Sequence, residues 1–575
     1  MKVYVRLSIS IAALAALVAA APADAQSRAP KLDRVLQQAH GGARQRVIVR
    51  FKPGSESSVQ QKLAATGNRI FAKHASIGAM TVELRADQIA DFANNPDIES
   101  IGADADVAAF AYTSDTAISS SVLRNTLGES TSSRGSGIGV ALIDSGIAPL
   151  PAFYGRITAF YDVTSGVPVP TLPFDDYGHG THVAGLIGAN DNSYMGVAPS
   201  VTFVGLKVLT KTGKGSTSNV ITAIEFAIAN RARFNIRVMN LSLGHPILTA
   251  AANDPLVQAV EHAVQSGIVV VVSAGNVGVN PDTGLIGYAG VTSPGNAPSA
   301  ITVGAVDTKG TVSHGDDDVP SYSSRGPTWY DGYVKPDVVA PGHNMISVTD
   351  VNSYLFKQYP NLDVYSSQRW YLRLSGTSMA TAVTTGVVAA VLESRAGAVS
   401  YFGVDPGPLK ANGVKAMLQY TALRIVRGDG TSPDTLTEGT GELNAEGSVR
   451  LAWLAVAMWA NPALMQPYPQ FLATASAIGS QSLPWSQRLI WGQNVVSGSG
   501  LAATSTAWAT NILWGENITW GENILWGENI VWGENIVWGE NIIWGENIVW
   551  GENIIWGESL VDANSKVIGQ SLLGN

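Results

Sequence analysis

Ile138-Gly139-Val140-Ala141-Leu142-Ile143-Asp144-Ser145-Gly146 is an apolar, β-branched run that ends in a carboxylate and a turn. Three more runs of this kind follow, Val201 to Leu209, Val238 to Leu243 and Ile268 to Val272. Val220 to Arg231 and Pro255 to Ser266 lie between the last three and carry helical spacing. Strands apolar on both faces and joined by helices predict an α/β fold, a parallel sheet buried between helices. In such sheets a functional site lies beyond the carboxyl ends of the strands. Asp144 stands at that position.

Upstream, Arg46 to Phe51 reads as a strand and Ser55 to Ala65 as a helix. Arg69 to Ala72 and Met80 to Leu84 read as strands, Ala86 to Asn94 as a second helix, and Ile98 onward as strand again. The order βαββαβ predicts a small α+β, ferredoxin-like domain over 45–111. Asp104 to Thr131, rich in Ala, Ser, Thr and Asp, reads as an exposed linker. Residues 1–25 read as a signal peptide: Lys2 and Arg6 supply the positive region, Ile9 to Ala20 the apolar run, and Ala23-Asp24-Ala25 the cleavage site. That run is shorter than the ~20 residues needed to span a bilayer. No later segment reads as a membrane span, so the expected product is secreted, or held at the cell surface or in the periplasm.

Downstream of a linker over 451–507 the chain changes character. Over 508–560, Trp514, Trp520, Trp526, Trp532, Trp538, Trp544, Trp550 and Trp556 recur in the unit Trp-Gly-Glu-Asn-Ile-x. On a helix each six-residue step turns ~600°, which scatters the rings. On an extended chain an even period keeps them on one side. A hexapeptide-repeat tail of stacked strands or a short β-solenoid follows.

The 575 residues exceed one core and predict three or four domains. The formal charge of −9 is local, because the repeat carries acidic residues from Glu516 to Glu558 and no Lys or Arg. The remainder is near neutral, which gives no footprint for a nucleic acid. The absence of cysteine excludes disulfides, thiol nucleophiles and thiolate metal sites.

Three segments carry groups able to attack a carbonyl: Asp144 at its strand end, His179 in Gly178-His179-Gly180-Thr181-His182, and Ser378 in Ser375-Gly376-Thr377-Ser378-Met379-Ala380. Singly, each has a structural reading as a cap or turn residue. Together, in the order Asp, His, Ser, they resemble the subtilase family of serine peptidases. Gly196-Val197-Ala198-Pro199, Asn240-Leu241-Ser242-Leu243-Gly244, Ser273-Ala274-Gly275-Asn276, Ser323-Ser324-Arg325-Gly326-Pro327 and Lys335-Pro336-Asp337-Val338-Val339-Ala340-Pro341-Gly342 extend the likeness across about 125–450. A lipase or esterase would need a Gly-x-Ser-x-Gly elbow and the order Ser, Asp, His.

The resemblance implies an Asp144–His179–Ser378 triad acting as a serine endopeptidase through an acyl-enzyme. It implies an oxyanion donor in Asn276 and cleft walls at Ser242, Leu243, Gly244, Ala274 and Gly275. Those walls carry no charge, which favours apolar or aromatic side chains. Residues 45–111 resemble the inhibitor propeptide of subtilases, so the enzyme is expected as a zymogen that cuts itself between about Phe110 and Ser120. Its expected partners are protein or peptide substrates and its own propeptide. His182 is read as a packing or capping residue. The chemistry requires no cofactor.

The sequence departs from the family in three places. Thr381, Ala382 and Val383 replace the usual small residue, Pro and His after the nucleophile. The loop Asn190 to Met195 is short for the family's calcium loop, which leaves a structural calcium open and no metal ligand named. His343 to Leu372 is long and aromatic, with Tyr354, Phe356, Tyr359, Tyr365, Trp370 and Tyr371 able to border the cleft or simply pack. A rival reading is a binding protein on a dead enzyme fold, whose repeat tail attaches to a surface, binds glycans or self-associates.

Overall fold

The computed structural model describes residues 31–39, 43–109, 120–128, 133–280, 283–460 and 474–497, and short strands within 523–569. The signal-peptide reading lies outside the described residues, as does most of the repeat tail.

The N-terminal unit comprises α1 (Arg34–Gln37), β1 (Arg44–Phe51), α2 (Glu56–Ala65), β2 (Ile70–His74), β3 (Ala79–Arg85), α3 (Ala86–Ala93) and β4 (Ile98–Ala103). Its antiparallel sheet has the order β2-β3-β1-β4. Val47, Val49, Met80, Val82, Leu84 and Ile101 face Val59, Leu63, Ile89 and Phe92 in a separate small core. The segment expected to be an exposed linker is not uniform. It begins with a strand, β5 (Asp106–Ala109), whose Val107 is wholly buried, and α4 (Ser120–Thr126) packs Leu123 into the main core. Alternation explains the difference, since one buried Val in a polar stretch is invisible to composition.

The large sheet runs β16-β15-β13-β11-β6-β9-β7-β8. It is built from β6 (Gly139–Asp144), β7 (Ile157–Asp162), β8 (Val169–Pro170), β9 (Thr202–Lys207), β11 (Ile236–Leu241), β13 (Val269–Ser273), β15 (Ile301–Val306) and β16 (Val338–Pro341). All pairings are parallel except β7 with β8. β10 (Lys214–Ser216), β12 (Leu243–Pro246) and β14 (Thr292–Ser293) join β5 in a second sheet. Alternate residues of each large-sheet strand serve opposite faces. Val140, Leu142, Val269 and Val271 pack beneath α5 (His179–Gly188) and α9 (Thr377–Phe402). Ala141, Ile143, Val270 and Val272 pack beneath α6 (Thr217–Ala229) and α7 (Pro255–Gln265).

Helix α9 is long and apolar enough to cross a membrane, contrary to the sequence reading, but most of it is buried against the large sheet, α5 and α12 (Ala445–Ala460). It is a core helix. Thr381 is accommodated within it by donating its hydroxyl to the Thr377 carbonyl at 2.7 Å, and Ala382 and Val383 are fully buried. Helix α12 continues past residue 450, and Trp485, Leu489 and Ile478 from the following strands enter the same core. Among the described tail residues, Asn523–Ile530 and Gly533–Gly539 are extended and pair antiparallel.

Two carboxylates are prominent among the contacts that tie the N-terminal unit to the sheet domain. Asp104 accepts from the backbone N–H and hydroxyl of Ser218 at 2.8 and 2.9 Å, capping the first turn of α6. Glu225 on α6 accepts from the backbone N–H and hydroxyl of Ser76 at 2.9 and 2.5 Å.

At the far end of the sheet, Asp337 is wholly buried among two lysines. Its carboxylate meets Lys335 at 2.8 Å and Lys415 at 3.0 Å, and accepts from Thr302 N–H at 2.8 Å and Gln419 at 3.0 Å. Asp337→Ala leaves two buried ammonium groups without their shared counter-charge and is expected to cost about 3–5 kcal/mol. Urea unfolding of the variant in a Ser378→Ala background measures this; a loss below about 1 kcal/mol is the surface-pair value and would contradict it.

Candidate active site

Asp144 ends β6, the central strand at which the sheet order reverses, so its carboxylate projects beyond the carboxyl edge. His179 opens α5. Its Nδ1 lies 2.8 and 3.0 Å from the two Asp144 oxygens, and both side chains are fully buried. An acceptor on both sides of Nδ1 fixes that nitrogen as the N–H, so Nε2 carries the lone pair. Nε2 is buried and has no hydrogen-bond partner.

A second carboxylate, which sequence reading missed, holds this pair in place. Asp175 accepts from the Ser145 hydroxyl at 2.9 Å and Gly178 N–H at 2.8 Å through one oxygen. The other oxygen takes Thr181 N–H at 2.8 Å and the Thr181 hydroxyl at 2.6 Å. The Ser145 hydroxyl in turn accepts from Gly180 N–H at 2.9 Å. The end of β6 and the start of α5 are thereby joined. Burial pushes the Asp175 carboxyl up against these stabilising donors. Gly180 allows the close approach, because a Cβ there would stand 2.2 Å from the Gly146 carbonyl oxygen. The available signal was an acid four residues before His179 at a helix start.

Ser378 is the second residue of α9 and is buried. Its hydroxyl donates to the Ser242 carbonyl at 3.1 Å, while the Ser242 hydroxyl donates to the Ser378 carbonyl at 3.1 Å. No hydrogen bond joins Ser378 to His179 in this state. Beneath them Asn240 donates to the Ser242 hydroxyl at 2.9 Å and accepts from Thr385 at 2.9 Å.

Asn276 accepts through Oδ1 from Thr377 N–H and from the Thr377 hydroxyl, both at 3.0 Å. Because a backbone N–H can only donate, the amide orientation is set, and Nδ2 is left as a buried donor without a partner. Thr377 was also missed; its hydroxyl accepts from Gly275 N–H at 3.1 Å. Gly275 takes φ +108°, a region costly for any other residue. Ala274 and Gly275 spend their backbone groups internally, on Val303, Thr292, Thr377 and Ser324, so they can supply wall but no backbone hydrogen bond. Leu243 and Gly244 differ, because β12 pairs antiparallel with β5, Leu243 opposite Ala109 and Gly244 opposite Ala108.

His182 lies in the helix behind the site. Its Nε2 meets the Met345 and Leu372 carbonyls at 3.1 and 3.0 Å. Those residues belong to β17 (Met345–Val348) and β19 (Arg369–Leu374); β19 is the middle strand of a three-stranded sheet within the aromatic segment, with β17 on one side and β18 (Asp363–Ser366) on the other. Tyr354 of that segment stacks on Tyr177 at 6.0 Å, and Tyr177 lies 6.5 Å from the His179 ring. The aromatic segment therefore borders His179 through Tyr177. In the short loop, Asp191 meets Arg369 at 3.1 Å, Tyr371 at 3.0 Å and the backbone N–H groups of Ser193 and Tyr194 at 2.9 and 3.0 Å. A guanidinium thus neutralises this carboxylate.

The Subtilase family profile matches residues 135–448, more than half of the chain. The chain belongs to the subtilase family. It is 41% identical over 288 residues to serine protease AprX of Bacillus subtilis (strain 168), covering 48% of this chain and 62% of that protein. It is 38% identical over 262 residues to subtilisin E of the same organism, covering 45% and 56%. The chain thus spans about three fifths of these relatives' lengths. The crystal structure of fervidolysin from Fervidobacterium pennivorans, a keratinolytic enzyme related to subtilisin, superposes with a TM-score of 0.54 at 21% identity over 71% of this chain and 61% of that one, a likeness of fold.

Burial, first, and the neighbouring His179 push His182 down to about 3. Between about pH 3 and 6.5 the unfolded chain therefore binds a proton that the folded chain refuses, so stability falls as pH falls through that window. The contribution at pH 5 is a loss of roughly 2 kcal/mol relative to pH 7. Unfolding free energies across this range should show that slope, and His182→Gln should flatten it. An unchanged slope would assign the acid sensitivity to other groups.

Proposed function

We propose that this subtilase is a serine endopeptidase that hydrolyses peptide bonds through an acyl-enzyme on Ser378, made as a self-processing zymogen and exported. The observation that carries the reading is the pair of aimed but unpartnered groups, the His179 Nε2 lone pair and the Asn276 Nδ2 donor. Such groups are costly to bury unless a reacting molecule completes them.

The steps follow from the geometry. A rotation about χ1 turns the Ser378 hydroxyl from the Ser242 carbonyl to His179 Nε2, which takes its proton as Oγ attacks the scissile carbonyl carbon. Asp144 stabilises the resulting imidazolium. The oxyanion is received by Asn276 Nδ2 and the Ser378 N–H, one of the unpaired donors of the first turn of α9. The C–N bond then breaks as His179 returns the proton to the amine. Water repeats the sequence to release the acid.

The N-terminal unit is read as the inhibitor. β5 lies as the middle strand between β10 and β12, antiparallel to both, which is how an extended peptide binds by strand addition. Val107 fills an apolar space shared with Leu209, Val220 and Leu243. The described register ends with Ala109 opposite Leu243, and the next residue in the sequence is Phe110. The bond between Phe110 and Ala111 is therefore the proposed self-cleavage site, and an aromatic residue before the scissile bond fits uncharged walls. Substrates are unfolded or extended protein segments read largely through their backbone.

Secreted wild-type protein is expected to begin at Ala111 and the Ser378→Ala copy to retain the N-terminal unit; intact mass and N-terminal sequencing distinguish them. Equal processing of both would assign the cut to another protease, and no cut in either would overturn the zymogen reading. On a peptide substrate, Asn276→Ala is expected to lower kcat by about 10²–10³ with KM little changed. Thr377→Val, which removes one of the two donors orienting the amide, should give a smaller loss of the same kind. A loss confined to KM would place Asn276 in substrate binding instead.

A further inference from the structure

His314, Asp317 and Glu442 lie far from the triad in the chain and have no part in the chemistry above. All three are buried, at 8%, 1% and 2% exposure. His314 Nε2 lies 3.0 Å from the Thr126 carbonyl oxygen, which only an N–H can satisfy. In the neutral ring Nδ1 is therefore a lone pair, and it faces Asp317 Oδ2 at 2.9 Å and Glu442 Oε2 at 3.0 Å. A histidine that donates one N–H to a carbonyl while aiming the other nitrogen at carboxylates is the arrangement of a metal ligand with its supporting hydrogen bond.

A divalent cation with a neutral imidazole would balance the two buried carboxylates. Asp317 Oδ1 and Glu442 Oε1 are buried and have no hydrogen-bond partner. The three candidate ligand atoms lie within 4.8 Å of one another. An ion at about 2.0–2.2 Å from each needs only small side-chain rotations to close that span. A cavity of about 670 Å³ lies beside the residue preceding His314, lined by Asn125, Ser313 and Gln481 among others. Gln481 also accepts from His314 N–H at 3.1 Å.

We propose that His314, Asp317 and Glu442 form a structural binding site for a first-row divalent transition ion, zinc or manganese. One nitrogen and two carboxylates select such an ion over calcium or magnesium, which take oxygen ligands. The ion ties the loop after β15 to the segment before α12, and the hydrogen bond from His314 to the Thr126 carbonyl adds the end of α4. In a chain without cysteine it does the work of a cross-link.

The test uses the untagged full chain carrying Ser378→Ala, which prevents self-digestion. Elemental analysis after purification, and again after chelation and readdition of Zn²⁺, Mn²⁺ or Ca²⁺, counts the ions bound. About one zinc or manganese ion per chain is expected, with a higher unfolding temperature than the stripped protein. Asp317→Asn and Glu442→Gln, near-isosteric changes, should each weaken binding by at least about tenfold and remove the thermal shift. If either variant fails to fold, the comparison of stripped and reloaded parent chain still decides. The proposal is overturned if the parent chain takes up neither ion, if calcium alone stabilises it, or if the folded variants bind zinc as the parent does. The last result would mark an adventitious ion elsewhere.

Discussion

The burial of helix α9 is the constraint on which the rest of the molecule depends. An apolar helix of 26 residues has to lose its contact with water. It does so by lying across β11, β13, β15 and β16 on one side and against α5 and α12 on another. Each fully buried Val, Leu or Met contributes about 1.5–3 kcal/mol relative to exposure, so the helix cannot shift without losing several such terms. Its N-terminus is therefore fixed to the sheet edge, and the two residues that begin it do chemical work. Thr377 orients the Asn276 amide, and Ser378 presents the hydroxyl and an unpaired N–H. The proposed nucleophile, Ser378, and the proposed oxyanion donor, Asn276, are set by one packing event.

The other half of the site is set by polar contacts rather than by packing. Asp175 links the end of β6 to the first turn of α5 through direct bonds from Ser145, Gly178 and Thr181. Asp144 and His179 are then held within hydrogen-bond distance without water. The four donors favour the anion of the buried Asp175 carboxylate and oppose the burial that pushes its pKa up. The same logic recurs at Asp337 between its lysines and at Asp191 beside Arg369. In this protein buried acids are consistently used as joints between elements, a role that disulfides play in many cysteine-containing proteins.

Much of the architecture was legible because it follows from periodicity. The runs at Ile138, Val201, Val238 and Ile268 became β6, β9, β11 and β13, and the βαββαβ reading of the N-terminal unit was realised strand for strand. Elements whose pattern is short or mixed were not legible. β5 hides one buried Val in a polar stretch, α9 passes for a membrane span by composition, and the aromatic segment gives no sign that Tyr354 would stack on Tyr177. Thr377, Asp175, Asn240 and Thr385 escaped notice because their roles are made by partners from remote segments.

By itself, then, the sequence determined the strand and helix pattern, the order Asp144, His179, Ser378, and membership of a family whose motifs depend on local spacing. Only the tertiary structure decided which nitrogen of His179 carries the lone pair, which way Asn276 faces and that β5 pairs with β12. Local spacing governs dihedral preference and the face a side chain occupies. The direction of a hydrogen bond depends on which donor or acceptor arrives from elsewhere in the chain, and packing alone brings those groups together.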